Sequence, residues 1–147
     1  MSRSKILANI KKNISVKKVE LEKFDIDLLS FNDKMEAFKI NLELAGGELV
    51  DEVRGVLIEA EFGVAENGAC FISHNPKDDR KIYSFYEEIT IKLKKDAILN
   101  NMQEAYNRIS FDEFGIFLSG SSKTADIEQS LVIGAHGAKF LGVLFVD

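Results

Sequence analysis

Hydrophobic positions recur at helical spacing twice in the first 45 residues. Ile6, Leu7, Ile10 and Ile14 predict a short amphipathic helix that docks on another surface. Met35, Phe38, Leu42 and Ala45 keep one face apolar, Asp33 stands where a capping carboxylate belongs, and Gly46-Gly47 stops the run. Between them, Val16 to Asn32 mixes charge with Leu21, Phe24, Ile26, Leu28, Leu29 and Phe31 and fits neither a helical nor a strand period.

Beyond the glycines the pattern shortens. Glu48-Leu49-Val50 is a short strand candidate, and Val56-Leu57-Ile58 is a compact aliphatic run of the kind found in buried strands. Asn67-Gly68 lies between Gly63-Val64-Ala65 and Ala69-Cys70-Phe71-Ile72, and both turn residues tolerate the positive φ of a tight hairpin. Ser73 to Lys81, with the only proline at Pro76, reads as an exposed loop. Ile89, Ile91 and Leu93 alternate with Thr90, Lys92 and Lys94, the period of a half-buried strand. Asp96 can cap a helix to about Arg108, with Ile98, Leu99, Met102, Ala105, Tyr106 and Ile109 on its apolar side. A strand over Gly115 to Leu118, a short helix from Thr124 to just before Gly134, and a closing strand from Phe140 to Val146 complete the series. Strands alternating with helices predict an α/β domain with a mostly parallel sheet flanked by helices, plus one β-hairpin.

Composition narrows the chemistry. The net charge of -5 disfavours a phosphate-neutralising surface, and Lys11, Lys12, Lys17 and Lys18 are followed at once by Glu20, Glu22, Asp25 and Asp27, which reads as a solvated face. No nucleic-acid partner is expected. The single Cys70 excludes an internal disulfide and cannot supply the paired thiolates of a zinc site or iron–sulfur cluster. No apolar run approaches the roughly 20 residues that cross a bilayer, and the N-terminal residues lack an apolar signal-peptide core, so a cytoplasmic protein without membrane attachment is expected.

Two stretches are more specific. The first is Gly63-Val64-Ala65-Glu66-Asn67-Gly68-Ala69, and the second is Ser119-Gly120-Ser121-Ser122-Lys123-Thr124-Ala125-Asp126-Ile127-Glu128 with Gly134-Ala135-His136-Gly137 after it. In order and spacing they resemble the signatures of the lactate-utilisation C proteins, whose LUD domain is sugar-isomerase/CoA-transferase-like. The resemblance covers Arg54 to Asp147 and implies a NagB/RpiA/CoA-transferase-like fold. On that basis residues 1–53 form an N-terminal helical segment and 54–147 the LUD-like α/β domain, within one compact domain overall.

The chain also departs from the family. Members usually carry Thr at the position of Asn67, commonly Pro at those of Ser121 and Ala138, and often prolines near Glu87-Glu88. They are usually longer, and the material between their early helix and the strand at Val56 is almost absent here, which makes the expected fold truncated. A shortened sheet exposes an edge, and exposed edges invite pairing, so a homo-oligomer is expected.

The motifs admit several chemistries. Glu66 precedes a tight turn, and Ala65-Glu66-Asn67-Gly68 is similar to the element in which one class of CoA transferases places a nucleophilic glutamate. It is therefore a candidate catalytic residue, beside ligand orientation by Glu66, Asn67 and Gly68 or a hairpin turn with a solvated carboxylate. Gly120, Ser121, Ser122, Lys123 and Thr124 precede the expected helix and can cradle a carboxylate or phosphate at its positive end. Equally, Thr124 can be an N-cap with Asp126 and Glu128 as ordinary first-turn acids. His136, with Gly137 next to it, can titrate near neutral pH beside a ligand or bond local backbone in its turn. His74 reads as exposed, Cys70 as a small apolar core residue, and Phe85, Tyr86, Phe111, Phe114 and Phe117 as core and interface. No metal and no cofactor bound by this chain are expected.

Three functions follow. The resemblance implies a non-redox component of L-lactate to pyruvate oxidation that associates with iron–sulfur subunits. The alternatives are a CoA-transferase or sugar-phosphate-isomerase-like enzyme using Glu66, and a degenerate binding or scaffold module.

Overall fold

The computed structural model describes residues 3–13, 27–73, 81–110, 114–125, 131–133 and 137–147. Helix α1 spans Arg3–Asn13 and α2 spans Lys34–Ala45. Asp33 accepts a hydrogen bond from the Glu36 amide at the start of α2, and Gly46, at φ 87°, closes it in the left-handed conformation. Strands β1 (Glu48–Leu49), β2 (Val56–Glu59), β3 (Phe62–Val64) and β4 (Ala69–Ser73) follow. Next come α3 (Ile82–Phe85), β5 (Glu88–Lys94), β6 (Ile98–Leu99) and α4 (Met102–Arg108). The chain then forms β7 (Gly115–Leu118), β8 (Lys123–Ala125), β9 (Leu131–Ile133) and β10 (Phe140–Val146).

The first sheet, in the order β1-β10-β5-β2, is parallel throughout. The second, β6-β3-β4-β7, is mixed: β3 runs parallel to β6, while β3-β4 and β4-β7 are antiparallel. The two sheets share a corner. β2 and β5, paired in the first sheet, each bend within a few residues into β3 and β6, paired in the second. The Ala60 amide bonds the Lys92 carbonyl and the Gly63 amide the Ala97 carbonyl, which carries the ladder around the bend.

Alternation along the second sheet divides the interior in two. Cys70 and Ile72, opposite Leu118 and Ile116, join Phe38 and Leu42 of α2 and Ile89, Ile91 and Leu93 of β5 in the larger core. Phe62, Phe71 and Phe117 face the other way and form an aromatic cluster with centroids 4.9 to 6.3 Å apart, closed by Ala105 of α4. Phe38 and Leu42 are fully buried, and β1 pairs with β10, so elements before Arg54 belong to the same core as those after it.

Several local expectations are corrected. The expected helix from Thr124 is not formed at either end: β8 and β9 pair antiparallel, Lys123 opposite Ile133 and Ala125 opposite Leu131. The β-branched Thr124, Val132 and Ile133 suit a pleated ribbon better than a helix. Asp96 does not cap α4. Ile98 and Leu99 form β6 first, and Asn101 is the cap, its side chain accepting from the Glu104 amide at 2.9 Å. Val56–Ile58 is not a buried strand, because β2 lies at the sheet edge and Leu57 is 46% exposed. The apolar positions Ile6, Leu7 and Ile10 of α1 are exposed. Phe85 and Tyr86 are exposed as well, so they contribute no core. Ile14, His74, Phe111 and most of the stretch from Val16 to Asn32 lie outside the described residues.

The short passage from Gly47 to Val56 is closed by two residues that sequence patterning does not single out. The fully buried Thr90 hydroxyl donates to the Arg54 carbonyl at 2.7 Å and accepts from the Arg54 amide at 2.8 Å. The Arg54 guanidinium lies 3.7 Å from the centroid of the Phe140 ring and bonds Glu88 at 2.8 Å. One loop is thereby fastened to β5 and β10 at once.

Candidate functional site

Asn67 and Gly68 turn the β3-β4 hairpin as their types require. Gly68 has φ 65°, and a Cβ placed there would meet the Leu42 amide nitrogen at 2.2 Å, so the turn lies directly against the backbone of α2. The Asn67 side chain accepts from the Ala69 amide at 3.1 Å, and the Asn41 amide of α2 donates to the Ala65 carbonyl at 2.7 Å.

Glu66 is half-buried, not a solvated turn residue. Its carboxylate accepts from the Met102 amide at 2.7 Å, the first N–H of α4, and its own amide donates to the Asn100 carbonyl. A carboxylate at that place satisfies one of the orphan donors of a helix start and faces its positive end. Asn101 and Glu104 complete the arrangement, since the Glu104 carboxylate accepts from the Asn100 amide and side chain at 2.8 and 3.0 Å. Those two bonds hold the Glu104 carboxyl below its ordinary pKa.

The second motif packs on the C-terminal end of α2. A Cβ on Gly120 would lie 2.2 Å from the Ala45 carbonyl oxygen, so only glycine fits that crossing. The Lys123 ammonium donates to the Ala45 carbonyl at 2.7 Å, a cation on the negative end of α2. Anion cradling at a helix start does not apply here, because Lys123 and Thr124 enter a strand and the helix nearby presents its other end. Ser121 and Ser122 donate backbone amides to the Gly46 and Ala138 carbonyls. Ser119 joins the two motifs, its hydroxyl donating to the Asn67 carbonyl at 2.7 Å.

Helix α2 is therefore the common support of both signatures. Ala65 and Gly68 of the first meet it at Asn41 and Leu42, and Gly120 and Lys123 of the second at its end. Of the remaining candidates, Gly137 approaches Ser122 closely enough that an added Cβ would lie 3.1 Å from the Ser122 Cβ. Asp126, Glu128 and His136 lie outside the described residues, as does the Thr124 side chain.

A cleft of about 490 Å³ opens beside this junction, with Ser122, Lys123, Gly137 and Tyr83 set against an apolar wall that includes Ile89 and Leu141. A few polar groups stand in it on mainly apolar walls. Glu66 does not line it. A larger cleft of about 640 Å³ lies at the sheet corner among Glu59, Lys92, Lys94 and Arg108, where exposed charges of both signs predominate. Cys70 is fully buried, and burial pushes its thiol pKa far up, so it is neither a nucleophile nor a thiolate ligand in the folded protein.

The model of the LUD domain matches residues 48–146. The chain belongs to the LUD-domain family. The lactate-utilisation association expected from the two motifs therefore holds at the level of the domain, and the α/β fold with its mostly parallel sheet agrees with it. Among solved structures the LUD-domain chain is similar to a DUF162 family protein from Deinococcus radiodurans, at 20% identity and a TM-score of 0.48. The match covers 63% of this chain and 52% of that one, so the chain spans about half the length of that protein. No curated protein matches the sequence. Among the described residues, no helix is long and apolar enough to cross a membrane.

Proposed function

We propose that this LUD-domain protein is a non-redox component of a lactate-utilisation system, acting in the cytoplasm in the oxidation of L-lactate to pyruvate. The observation that carries the reading is the LUD-domain match over residues 48–146. On this reading the cleft at Ser122 and Gly137 receives a small carboxylate, and the hydrogen bond from the Met102 amide supports a capping role for Glu66 over a nucleophilic one. Lactate oxidation releases two electrons, and a chain whose one cysteine is buried passes that task to iron–sulfur partner subunits. The open edge of β2, with Leu57 exposed, supports the further proposal that the protein assembles with itself.

The test is titration calorimetry of the purified protein with L-lactate and with pyruvate, paired with pull-down from a lactate-grown culture. Binding that is lost on filling the cleft with Ser122→Leu and kept in Glu66→Gln is the expected result, together with capture of iron–sulfur proteins. Turnover of acyl-CoA that disappears in Glu66→Gln would overturn it in favour of an enzyme of the CoA-transferase type.

A further inference from the structure

Parallel sheets are ordinarily covered on both faces, because each crossover between parallel strands lays a helix against the sheet. The first sheet here is covered on one. Ile58, Ile89, Ile91, Leu93, Leu141 and Val143 belong to the larger core, so the residues between them point to the opposite, outer face. None of the described helices shields that face: α2 and α3 pack on the larger core, α4 packs on the aromatic cluster, and the apolar residues of α1 are themselves exposed. The loop before β2 shields only the half where the strands begin. There Val50 lies over Gly142, the Arg54 guanidinium lies over Phe140, and Thr90 is buried with its hydroxyl bonded to the Arg54 backbone.

The half where the strands end is open. Register sets Glu59 of β2, Lys92 of β5 and Leu144 of β10 side by side, with Lys94 and Val146 in the next row. Glu59 and Lys92 form an ion pair at 3.1 Å, yet their side chains stay 69% and 39% exposed. Glu61 follows Glu59 beyond the bend and lines the same corner cleft as Lys94, and neither has an ion pair among the described residues. Acids thus stand in one column, on β2 and its continuation, and bases in the next, on β5. Their charges cancel within a chain of net charge -5, so two copies repel least through this patch.

We propose that the open half of this outer face is where a second copy of the chain packs, sheet on sheet. This rests on the self-assembly read from the open β2 edge and extends it to the face that the edge borders. The order of the columns selects a second copy. A two-fold axis along the seam between β2 and β5 turns the β2 column of one copy over the β5 column of the other, and the reverse. Glu59 and Glu61 of each copy then meet Lys92 and Lys94 of the other, and Leu57, exposed on β2, is withdrawn from water at the seam. A partner with a uniformly acidic or basic surface would instead set half of these charges against their like. The patch measures about 15 Å across three strands and about 13 Å along them, small for a specific interface, so association in the micromolar range is expected.

Sedimentation velocity of the full chain at low ionic strength, from about 1 to about 300 µM, tests the proposal. The native protein is expected to pass from monomer to dimer across that range. Glu59→Lys combined with Glu61→Lys, and separately Lys92→Glu combined with Lys94→Glu, are each expected to weaken association at least about tenfold, because like charges then meet across the axis. An equal mixture of the two variants is expected to dimerise as the native protein does, which also shows that both are folded. A native dimer indifferent to Lys92→Glu with Lys94→Glu, which leave the β2 edge untouched, would overturn the face and keep edge pairing. Weakened variants whose mixture stays monomeric would overturn the two-fold arrangement. A monomer at every concentration would overturn self-assembly altogether.

Discussion

Replacing Glu66 separates a structural carboxylate from a catalytic one. The side chain accepts a 2.7 Å hydrogen bond from the first amide of α4, and Glu66→Ala leaves that half-buried amide without its partner. Loss of a capping acceptor costs about 1–2 kcal/mol, and for a chain of this size each kcal/mol lowers the melting midpoint by about 2–4 °C. A drop of about 2–8 °C follows. Glu66→Gln keeps an acceptor oxygen and gives up only the charge facing the helix start, about 0.5 kcal/mol, so its midpoint falls by about 1–2 °C. Neither variant should unfold, because Asn101 and Glu104 still hold the start of α4. Far-UV circular dichroism melts suit the measurement, since the chain has no tryptophan for fluorescence. An unchanged midpoint in Glu66→Ala refutes the capping role. A loss of turnover in Glu66→Gln with the melt unaltered places the carboxylate in chemistry.

Other substitutions probe the remaining supports. Gly68→Ala combines a φ of 65° with a Cβ 2.2 Å from the Leu42 amide nitrogen, and a loss of about 3 kcal/mol or more, read as a collapsed melting transition or insoluble protein, is expected. Thr90→Val removes both hydrogen bonds to Arg54 without changing shape, and about 2 kcal/mol of stability should go with them in a urea titration. The Glu104 carboxyl is held below its ordinary value, so the stability it lends is complete above pH 4.5 and is lost as the pH falls through its lowered folded-state pKa. Acid titration of Glu104→Gln should lack that component, and identical acid profiles for the two proteins would contradict it.

The elements legible in the sequence are those whose partners lie nearby along the chain. Helix α2 has its cap, its apolar row and its stop within fourteen residues, Asp33 to Gly46, and it forms as read. The hairpin at Asn67-Gly68 is equally local. Errors fall where a distant partner decides. Ile98 and Leu99 fit the face of a helix, yet their pairing with β3 makes them a strand and moves the cap from Asp96 to Asn101. Thr124 has the type of an N-cap, but pairing with Val132 extends it. Both signatures were visible as motifs, and what they do structurally was not. Glu66 bonds an amide 36 residues away and Lys123 a carbonyl 78 residues away, and no spacing rule announces contacts of that length.

Cys70 lies fully buried in β4, beneath α2, and is the only thiol of the chain. A solvent-borne thiol reagent therefore reaches it only when the sheet separates from its covering helix. Labelling of the native protein then counts opening events of the whole core, and its rate at increasing denaturant distinguishes partial fraying from complete opening. The one thiol, shut away from solvent while the fold is closed, thus serves as a built-in gauge of how often the two signatures lose their shared support.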